Sequence, residues 1–228
     1  MARSLNTSTN SSSRRVRRAA PLIVAVCALA GCSTIGGGDV ASLYAITKSI
    51  WSDGGRVTLE QAAAVPYASM GVRLGDSPEA MIILAGDAGG QRLWTSAAGV
   101  AIMTNDGRIV RTSGFEHNLG GYESRVGAPG ENGVQVVRWQ ADFTDLNLYS
   151  VLITCRDRPV GDETIVILGK SIRTRHVVES CASDASRLDW SFENTYWTDP
   201  VSGLVWRSIQ HVHPQLDAIE TEILRPPA

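Results

Sequence analysis

The strongest constraint on the fold of this 228-residue chain is a change of hydropathy pattern at Met81. From there to the C-terminus, short apolar segments with a period of two alternate with clusters of Gly, Asn, Asp and Pro. This pattern is typical of β-strands with one buried and one solvated face. About eleven such segments follow one another with no helical pattern between them: "MIILAG", "RLWTS", "VAIMT", "RIVRTS", "VQVVRWQADF", "LYSVLITC", "TIVILG", "SIRTRHVVESC", "LDWSFENTYW", "LVWRSIQHV" and "AIETEIL".

Short turns join these segments, and parallel strands would need crossovers of a dozen or more residues. The sequence therefore predicts a mainly β protein built on one large antiparallel meander sheet. Asn105-Asp106-Gly107 is its strongest hairpin signal. Residues 117–133 are rich in Gly and lack apolar periodicity, which predicts a long loop. The pattern leaves open whether the sheet is open, curled or a half-barrel.

A short helical segment precedes the strands. Apolar residues at spacings of three and four predict a helix from Asp39 to Gly54-Gly55. Thr58 and Gln61 resemble a capping box, which predicts a second helix that ends before Pro66.

The first 31 residues have the three-part layout of an export signal. A polar start leads to "RRVRR" and then to an apolar run from Ala19 to Ala30. As a helix this run would be about 18 Å long, too short for a hydrocarbon core of about 30 Å. We interpret residues 1–31 as a signal peptide and not as a transmembrane helix.

The signal closes on Leu29-Ala30-Gly31-Cys32, which resembles the lipobox of bacterial lipoproteins. The resemblance implies cleavage before Cys32 and acylation of that residue, in preference to ordinary secretion. Residues 32–38 are then a lipidated tether, and residues 39–228 a single β-rich periplasmic domain. Ser33 replaces the aspartate that enteric bacteria use for retention, so we expect anchoring in the outer membrane, on its periplasmic face.

Charge argues against nucleic acid as a partner. The chain has 21 basic and 23 acidic residues, a net charge of −2. Five arginines and no acidic residue lie in the signal, so the exported body keeps 16 basic residues against 23 acidic ones, a net charge of −7. Such a body repels phosphate backbones.

Two of the four cysteines belong to the folded body. Cys27 leaves with the signal and Cys32 is the anchor, while Cys155 and Cys181 remain. In an oxidising periplasm this pair predicts one disulfide. The alternative is a metal site, but neither cysteine has a CxxC partner or a histidine at ligand spacing.

No catalytic constellation is recognisable, and we expect no catalytic residue, metal or cofactor. His117 lies in the long loop without a nucleophile, and His176 lies among alternating polar residues. His211 and His213 could share a metal on one strand face, but the spacing assigns no third ligand. Carboxylate pairs suited to glycoside hydrolysis stay open, because the sequence does not give the separations of Asp142, Asp145, Asp162, Glu163, Asp189 and Glu193.

The six tryptophans favour core packing, because most lie in alternating apolar segments. Trp197 and Trp206 are expected near each other across one hairpin. The alternative is a platform that stacks sugars beside arginines able to pair with acidic glycans.

Several segments in combination resemble one family of envelope lipoproteins. They are "YASMGVRLG" at 67–75, "WTSAAGVA" at 94–101, "GRIVRTSG" at 107–114, and "YWTD" at 196–199 followed by "GLVWRS" at 203–208. The chain resembles the YjbF/GfcB family, which is encoded with exopolysaccharide or O-antigen capsule genes. The resemblance covers nearly the whole mature chain, and it implies a β meander, an outer-membrane anchor and a role in polysaccharide export or assembly.

The resemblance supplies no catalytic residues. It marks five motif positions as possible contacts with a glycan or a partner protein: Arg73, Arg111, Trp197, Trp206 and Arg207. We expect a non-enzymatic outer-membrane lipoprotein that contacts export proteins or the glycan itself. The alternatives are a glycan-modifying periplasmic enzyme with paired carboxylates and an envelope scaffold that binds only protein.

Overall fold

The structure of the protein is a computed structural model that describes residues 55–125 and 136–227. The signal, the lipobox, the tether and the helix expected over 39–54 lie outside these residues. Along the described chain, no helix is long and apolar enough to cross a membrane.

The one α-helix of the described residues, α1, is short and spans Leu59–Ala64. Thr58 caps its N-terminus, since the Thr58 side chain accepts from the amide of Gln61 while the Gln61 side chain accepts from the amide of Thr58. The capping box read from the sequence is therefore confirmed.

Twelve strands follow in the described residues, joined by turns and by one 3-10 turn at Thr144–Leu146. They are β1 Ser69–Leu74, β2 Ala80–Ala88, β3 Gln91–Thr95, β4 Ala101–Asn105, β5 Arg108–Ser113, β6 Gly121–Arg125, β7 Val136–Phe143, β8 Leu148–Ile167, β9 Lys170–Ser183, β10 Ser191–Thr198, β11 Val205–Gln210 and β12 Ile219–Arg225.

All twelve strands form one antiparallel sheet in the order β5-β4-β3-β2-β1-β12-β11-β10-β9-β8-β7-β6. The first and last strands pair with each other, so the meander curls into a nearly closed barrel. Its seam lies between β5 and β6, where Thr112 and Leu119 are joined by backbone and side-chain hydrogen bonds. The predicted mainly β meander is confirmed, and its curled form is settled as a nearly closed barrel.

Three strand predictions need correction. β1 was not predicted as a strand, and β6 lies inside the segment predicted to be a loop. β6 shows little apolar periodicity, and its pairing with β7 holds it in the sheet. "LYSVLITC" and "TIVILG" were predicted as two strands but form one, because β8 continues through an irregularity between Pro159 and Gly161.

The Asn105-Asp106-Gly107 hairpin is confirmed between β4 and β5. Asp106 and Gly107 have φ values of 48° and 84°, which is the left-handed backbone that a tight hairpin turn requires. A Cβ at position 107 would also collide with the side chain of Val205.

Because side chains alternate between the two faces of the strands, apolar clusters form both inside the barrel and on its outer surface. The main core fills the barrel and contains Trp94, Phe143 and Phe192. On the outer surface, α1 packs Ala62 and Val65 against Met81. Also outside, Ile165 and Ile167 of the distal β8–β9 hairpin pack with Trp197 of β10.

Candidate functional site

The structure brings four of the five predicted contact positions to neighbouring strands. Arg73 lies on β1, Trp197 on β10, and Trp206 and Arg207 on β11. Trp197 and Trp206 pack in one cluster, as the hairpin between them predicts. Arg111 lies apart on β5, which five strands separate from β11 in either direction around the barrel.

Arg73 and Arg207 belong to a charged cluster on the outer surface of β1, β12 and β11. We define this cluster as three arginines interleaved with three glutamates: Arg56, Arg73, Arg207, Glu79, Glu220 and Glu222. Arg207 Nη2 lies 2.5 Å from Glu222 Oε1, and Arg56 Nη2 lies 2.7 Å from Glu220 Oε1. Arg73 Nε lies 3.7 Å from Glu220 Oε2.

Glu79 is the buried member of the charged cluster. Its Oε2 accepts a hydrogen bond of 2.6 Å from the backbone amide of Val57. Gly71 makes room for it, since a Cβ at that position would collide with the Glu79 carboxyl group. Burial raises the pKa of Glu79, against the opposing effect of the Val57 hydrogen bond.

The arginines of the charged cluster are already paired with carboxylates and are not free to bind an anion by themselves. Burial alone would lower the pKa of Arg56, but its hydrogen bond to Glu220 and the nearby carboxylates raise it. Each guanidinium group already has a carboxylate within 4 Å. The surface therefore presents alternating donors and acceptors, which suits hydroxyl-rich or mixed-charge ligands better than simple anions.

The distal β8–β9 hairpin covers Trp197. Only 9% of Trp197 is exposed, and its Nε1 donates a hydrogen bond of 2.9 Å to Glu163 Oε2. His176 stacks on the indole at 4.9 Å, and Arg207 Nη2 donates to the Val166 carbonyl at 3.1 Å. In this arrangement Trp197 positions the hairpin and does not offer a free face to a sugar.

Two adjoining grooves border the charged cluster. The larger holds about 630 Å³, with walls at residues 56–59 and at residues 166–169 and with Arg207 and Glu222 as its floor. The second holds about 420 Å³ and is lined mainly by apolar residues of α1, the tip of the β8–β9 hairpin and β12, and by Trp206. Leu59 and Leu168 line both, so one continuous depression runs between α1 and the hairpin tip.

A second polar cluster lies inside the barrel. Arg108 Nη2 of β5 lies 2.5 Å from Glu179 Oε1 of β9, a strand that is not its neighbour in the sheet. The Arg108 guanidinium lies 4.4 Å from the ring centre of Trp139, and Tyr122 and Tyr196 also face it. Asn194 donates to the other Glu179 oxygen.

Electrostatics inside the barrel favours the charged form of Arg108. Burial alone would lower its pKa, but Tyr196 and the Glu179 carboxylate hold it above its usual value. Burial raises the pKa values of Tyr122 and Tyr196, so both phenols are neutral hydrogen-bonding groups at neutral pH. The geometry is that of a structural network in which Arg108, Glu179 and Asn194 are joined by hydrogen bonds.

Cys155 and Cys181 form the predicted disulfide. The two residues face each other directly in the β8–β9 ladder, and both are buried in the main core. The bond therefore joins the two longest strands of the sheet from inside the barrel.

The histidines pair differently from the sequence expectation. His211 hydrogen-bonds the Glu193 carbonyl, while His213 faces Asp145 and stacks against His117. His213 thus has two neighbours with metal-ligating atoms, His117 and Asp145. Spacing along the chain did not reveal them, because His117 and Asp145 lie on other loops.

Asp145 and His213 also affect each other's protonation. Burial alone would raise the pKa of Asp145, but hydrogen bonds from both histidines lower it. Burial lowers the pKa of His213, against the opposing attraction of Asp145.

Most of the carboxylates considered for glycoside hydrolysis have other partners. Asp142 accepts from the Ser150 amide, Asp162 pairs with Arg173, and Glu193 accepts from the Ser180 hydroxyl. Glu163 is held by Trp197, and Asp145 by histidines.

Sequence reasoning missed the acidic half of the charged cluster. "AIETEIL" carries a usable signal, since Glu220 and Glu222 alternate and therefore share one face of β12. Arg56 and Glu79 carry no such signal, because they come from loop segments that reach the cluster only in the folded chain.

Comparison with known proteins agrees with a lipoprotein β-barrel of this design. The family described as "Group 4 capsule polysaccharide lipoprotein gfcB, YjbF" matches residues 43–224. The chain belongs to this family, as its motifs indicated.

Two relatives from Escherichia coli K12 are similar over most of their length. The uncharacterized lipoprotein GfcB is 25% identical over 216 residues, which cover 90% of this chain and 98% of GfcB. The crystal structure of the hypothetical lipoprotein YmcC has the same fold, with a TM-score of 0.63 and 21% identity over 86% of this chain and 100% of that one.

Proposed function

We propose that this protein is an outer-membrane lipoprotein, anchored through Cys32 on the periplasmic face, that supports export or assembly of a capsule-like polysaccharide without catalysing a reaction. The observation that carries the proposal is the match of residues 43–224 to a family of capsule polysaccharide lipoproteins. A lipobox ahead of the matched region supports the anchor.

Lipid anchoring is consistent with the chemistry of the N-terminus. One acyl chain holds a protein only marginally, whereas the several chains of a bacterial lipoprotein anchor it stably. The predicted tether over residues 32–38 is small and glycine-rich, a composition that suits a flexible link between the membrane and the domain.

We further propose that the depression between α1 and the hairpin tip is the contact surface. Its floor offers paired guanidinium and carboxylate groups, and its walls expose Leu59 and Val166 at 58% and 55%. Exposed apolar side chains beside polar groups are typical of binding surfaces. Export proteins or the glycan would bind there, and no described feature calls for nucleic acid.

Deletion of the gene and complementation test the proposal directly. We expect deletion to reduce surface polysaccharide, the wild-type gene to restore it, and Cys32→Ala to fail because the protein is released from the membrane. Polysaccharide of unchanged amount and composition in the deletion strain would refute the function.

Separate variants test whether the depression is the contact surface. Leu59→Asp and Val166→Asp should lower polysaccharide export at unchanged protein level, because each places a charge on a wall of the depression. Val201→Asp is the matched control, since Val201 is 94% exposed in the β10–β11 turn. Equal export by all three variants would contradict the assignment of the surface.

A pull-down from solubilised envelopes then separates protein from glycan as the bound species. The wild type and Cys32→Ala are compared, together with a glycan array probed with the wild type. Protein capture without glycan binding would favour a scaffold that contacts export proteins.

A further inference from the structure

Three connections at one end of the barrel bring two histidines and an aspartate together. His117 comes from the β5–β6 connection, Asp145 from the 3-10 turn after β7, and His213 from the β11–β12 connection. We call these residues the His–Asp cluster. They lie far apart in sequence, so only the closed sheet assembles them.

The donor atoms of the His–Asp cluster converge. His117 Nδ1 lies 2.7 Å from Asp145 Oδ2, and His213 Nε2 lies 3.1 Å from Asp145 Oδ1. One ligand atom from each residue lies within 4.8 Å of the other two. Bonds of about 2.0–2.2 Å from a central ion to nitrogen and oxygen require the partly exposed His117 ring to turn out of its stack on His213, so that both ring planes contain the ion.

We propose that the His–Asp cluster binds one divalent transition-metal ion of the Zn²⁺ class. Imidazole nitrogen and carboxylate oxygen are the ligands that such ions take from proteins, and three of them leave a position for water. The proposal is independent of the polysaccharide function, because the His–Asp cluster shares no residue with the depression proposed as the contact surface.

Packing in the fold already holds His213 in place as a ligand. The His213 side chain is fully buried. The centre of the nearly perpendicular Phe143 ring lies 5.2 Å from the centre of the His213 ring, and the stacked His117 ring lies at 5.0 Å. His117 and Asp145 are partly exposed, which leaves a path by which an ion can enter. Such a preformed ligand with two approachable partners lowers the ordering cost of binding.

Ion binding requires a proton to move within each imidazole. The Gln215 amide donates to His213 Nδ1 at 3.1 Å, so without metal the neutral ring carries its proton on Nε2 and donates it to Asp145. When an ion binds Nε2, the proton of His213 moves from Nε2 to Nδ1. Nδ1 can then no longer accept the hydrogen bond from the Gln215 amide, and that bond is lost. His117 likewise carries its proton on Nε2 when Nδ1 binds the ion, so neutral histidines release no net proton.

Zn²⁺ titration of the chelator-treated protein tests the proposal. Calorimetry should give one ion per chain, and the melting temperature should rise with Zn²⁺ because the ion links three loops. Co²⁺ should give visible absorption bands of a nitrogen–oxygen site. His117→Ala and Asp145→Asn should each weaken the affinity at least tenfold; both lie at the surface, so they decide the result even if His213→Ala fails to fold.

His176→Ala is the matched control, because His176 lies 2.9 Å from Glu163 in a histidine–carboxylate pair without a second histidine. It should bind Zn²⁺ like the wild type. Absence of stoichiometric binding, or equal affinity in the wild type, His117→Ala and Asp145→Asn, would overturn the proposal and leave a cluster joined by hydrogen bonds alone.

Discussion

Arg108 and Glu179 form an ion pair that crosses the interior of the barrel. Taking both charges out of water is costly, and it is offset only by their attraction and by the surrounding hydrogen bonds. Three aromatic rings around the guanidinium add cation–π attraction. At the scale of single residues, the interior therefore depends on each charge keeping its partner.

Arg108→Met should destabilise the protein by about 3–5 kcal/mol, because it leaves the Glu179 carboxylate buried without its ion partner. The double variant Arg108→Met/Glu179→Gln should recover much of that loss, since it removes both charges. Chemical denaturation gives the free energies of unfolding. Arg173→Met is the control, because its pair with Asp162 is exposed and screened by solvent. Similar losses in Arg108→Met and Arg173→Met would contradict the prediction.

Glu79 predicts a pH dependence of stability. Its pKa is raised in the folded protein above the ordinary 4.5, so folding favours its protonated form. This contribution is present below the unfolded pKa and is lost as pH rises through the folded one. The melting temperature of Glu79→Gln should therefore increase relative to the wild type between pH 4 and pH 7. A difference that does not change with pH would refute the shift.

The β8–β9 hairpin is the element on which both the interior and the outer surface depend. Its proximal part belongs to the barrel wall and contains the disulfide, while its distal part continues past the irregularity at Pro159 and Gly161 and covers Trp197. One long hairpin thus closes the core and forms a wall of the proposed contact surface.

Removing the disulfide should lower the melting temperature by several degrees. The two cysteines are 26 residues apart, for which the chain-entropy model gives on the order of 3.5 kcal/mol. Cys155→Ala/Cys181→Ala tests this more cleanly than reductant, because the bond is buried and reduction of the folded protein would be slow. A melting temperature equal to that of the wild type would contradict the prediction.

At the scale of the whole molecule, the barrel closes through the two ends of the chain. β1 pairs with β12, so contacts between residues more than 140 positions apart join the two halves of the sheet. At the seam between β5 and β6, hydrogen bonds join Thr112 to Leu119, and His117 of the His–Asp cluster lies in the connection between the two strands. The closure of the fold thus depends on its last strand.

Deletion of residues 219–228 should abolish cooperative unfolding, because it exposes one edge of β1 and one of β11 and removes Ile219 and Ile223 from the core. Deletion of residues 226–228 alone is the control and should melt like the wild type. Circular dichroism on heating distinguishes the two outcomes, and a cooperative transition in the longer deletion would show that β12 is dispensable.

Much of the architecture was predictable from the sequence, because a period of two and turn residues are local properties. The alternation predicted an antiparallel meander, Thr58 predicted a capped helix, Asp106-Gly107 predicted a hairpin, and two cysteines predicted a disulfide. β1 and β6 were not predicted as strands, because their local pattern is weak and pairing with neighbouring strands determines their conformation. The resemblance of the motifs, and not their chemistry, indicated the family.

Tertiary structure alone decided how the sheet closes and which distant side chains meet. Closure follows from the pairing of β1 with β12, a contact that no local pattern specifies. The same closure sets Arg108 against Glu179, gathers Arg56 with Glu220, and brings His117 to Asp145 and His213. A strand determines only which face a residue takes, whereas the curvature and register of the whole sheet determine what that residue touches.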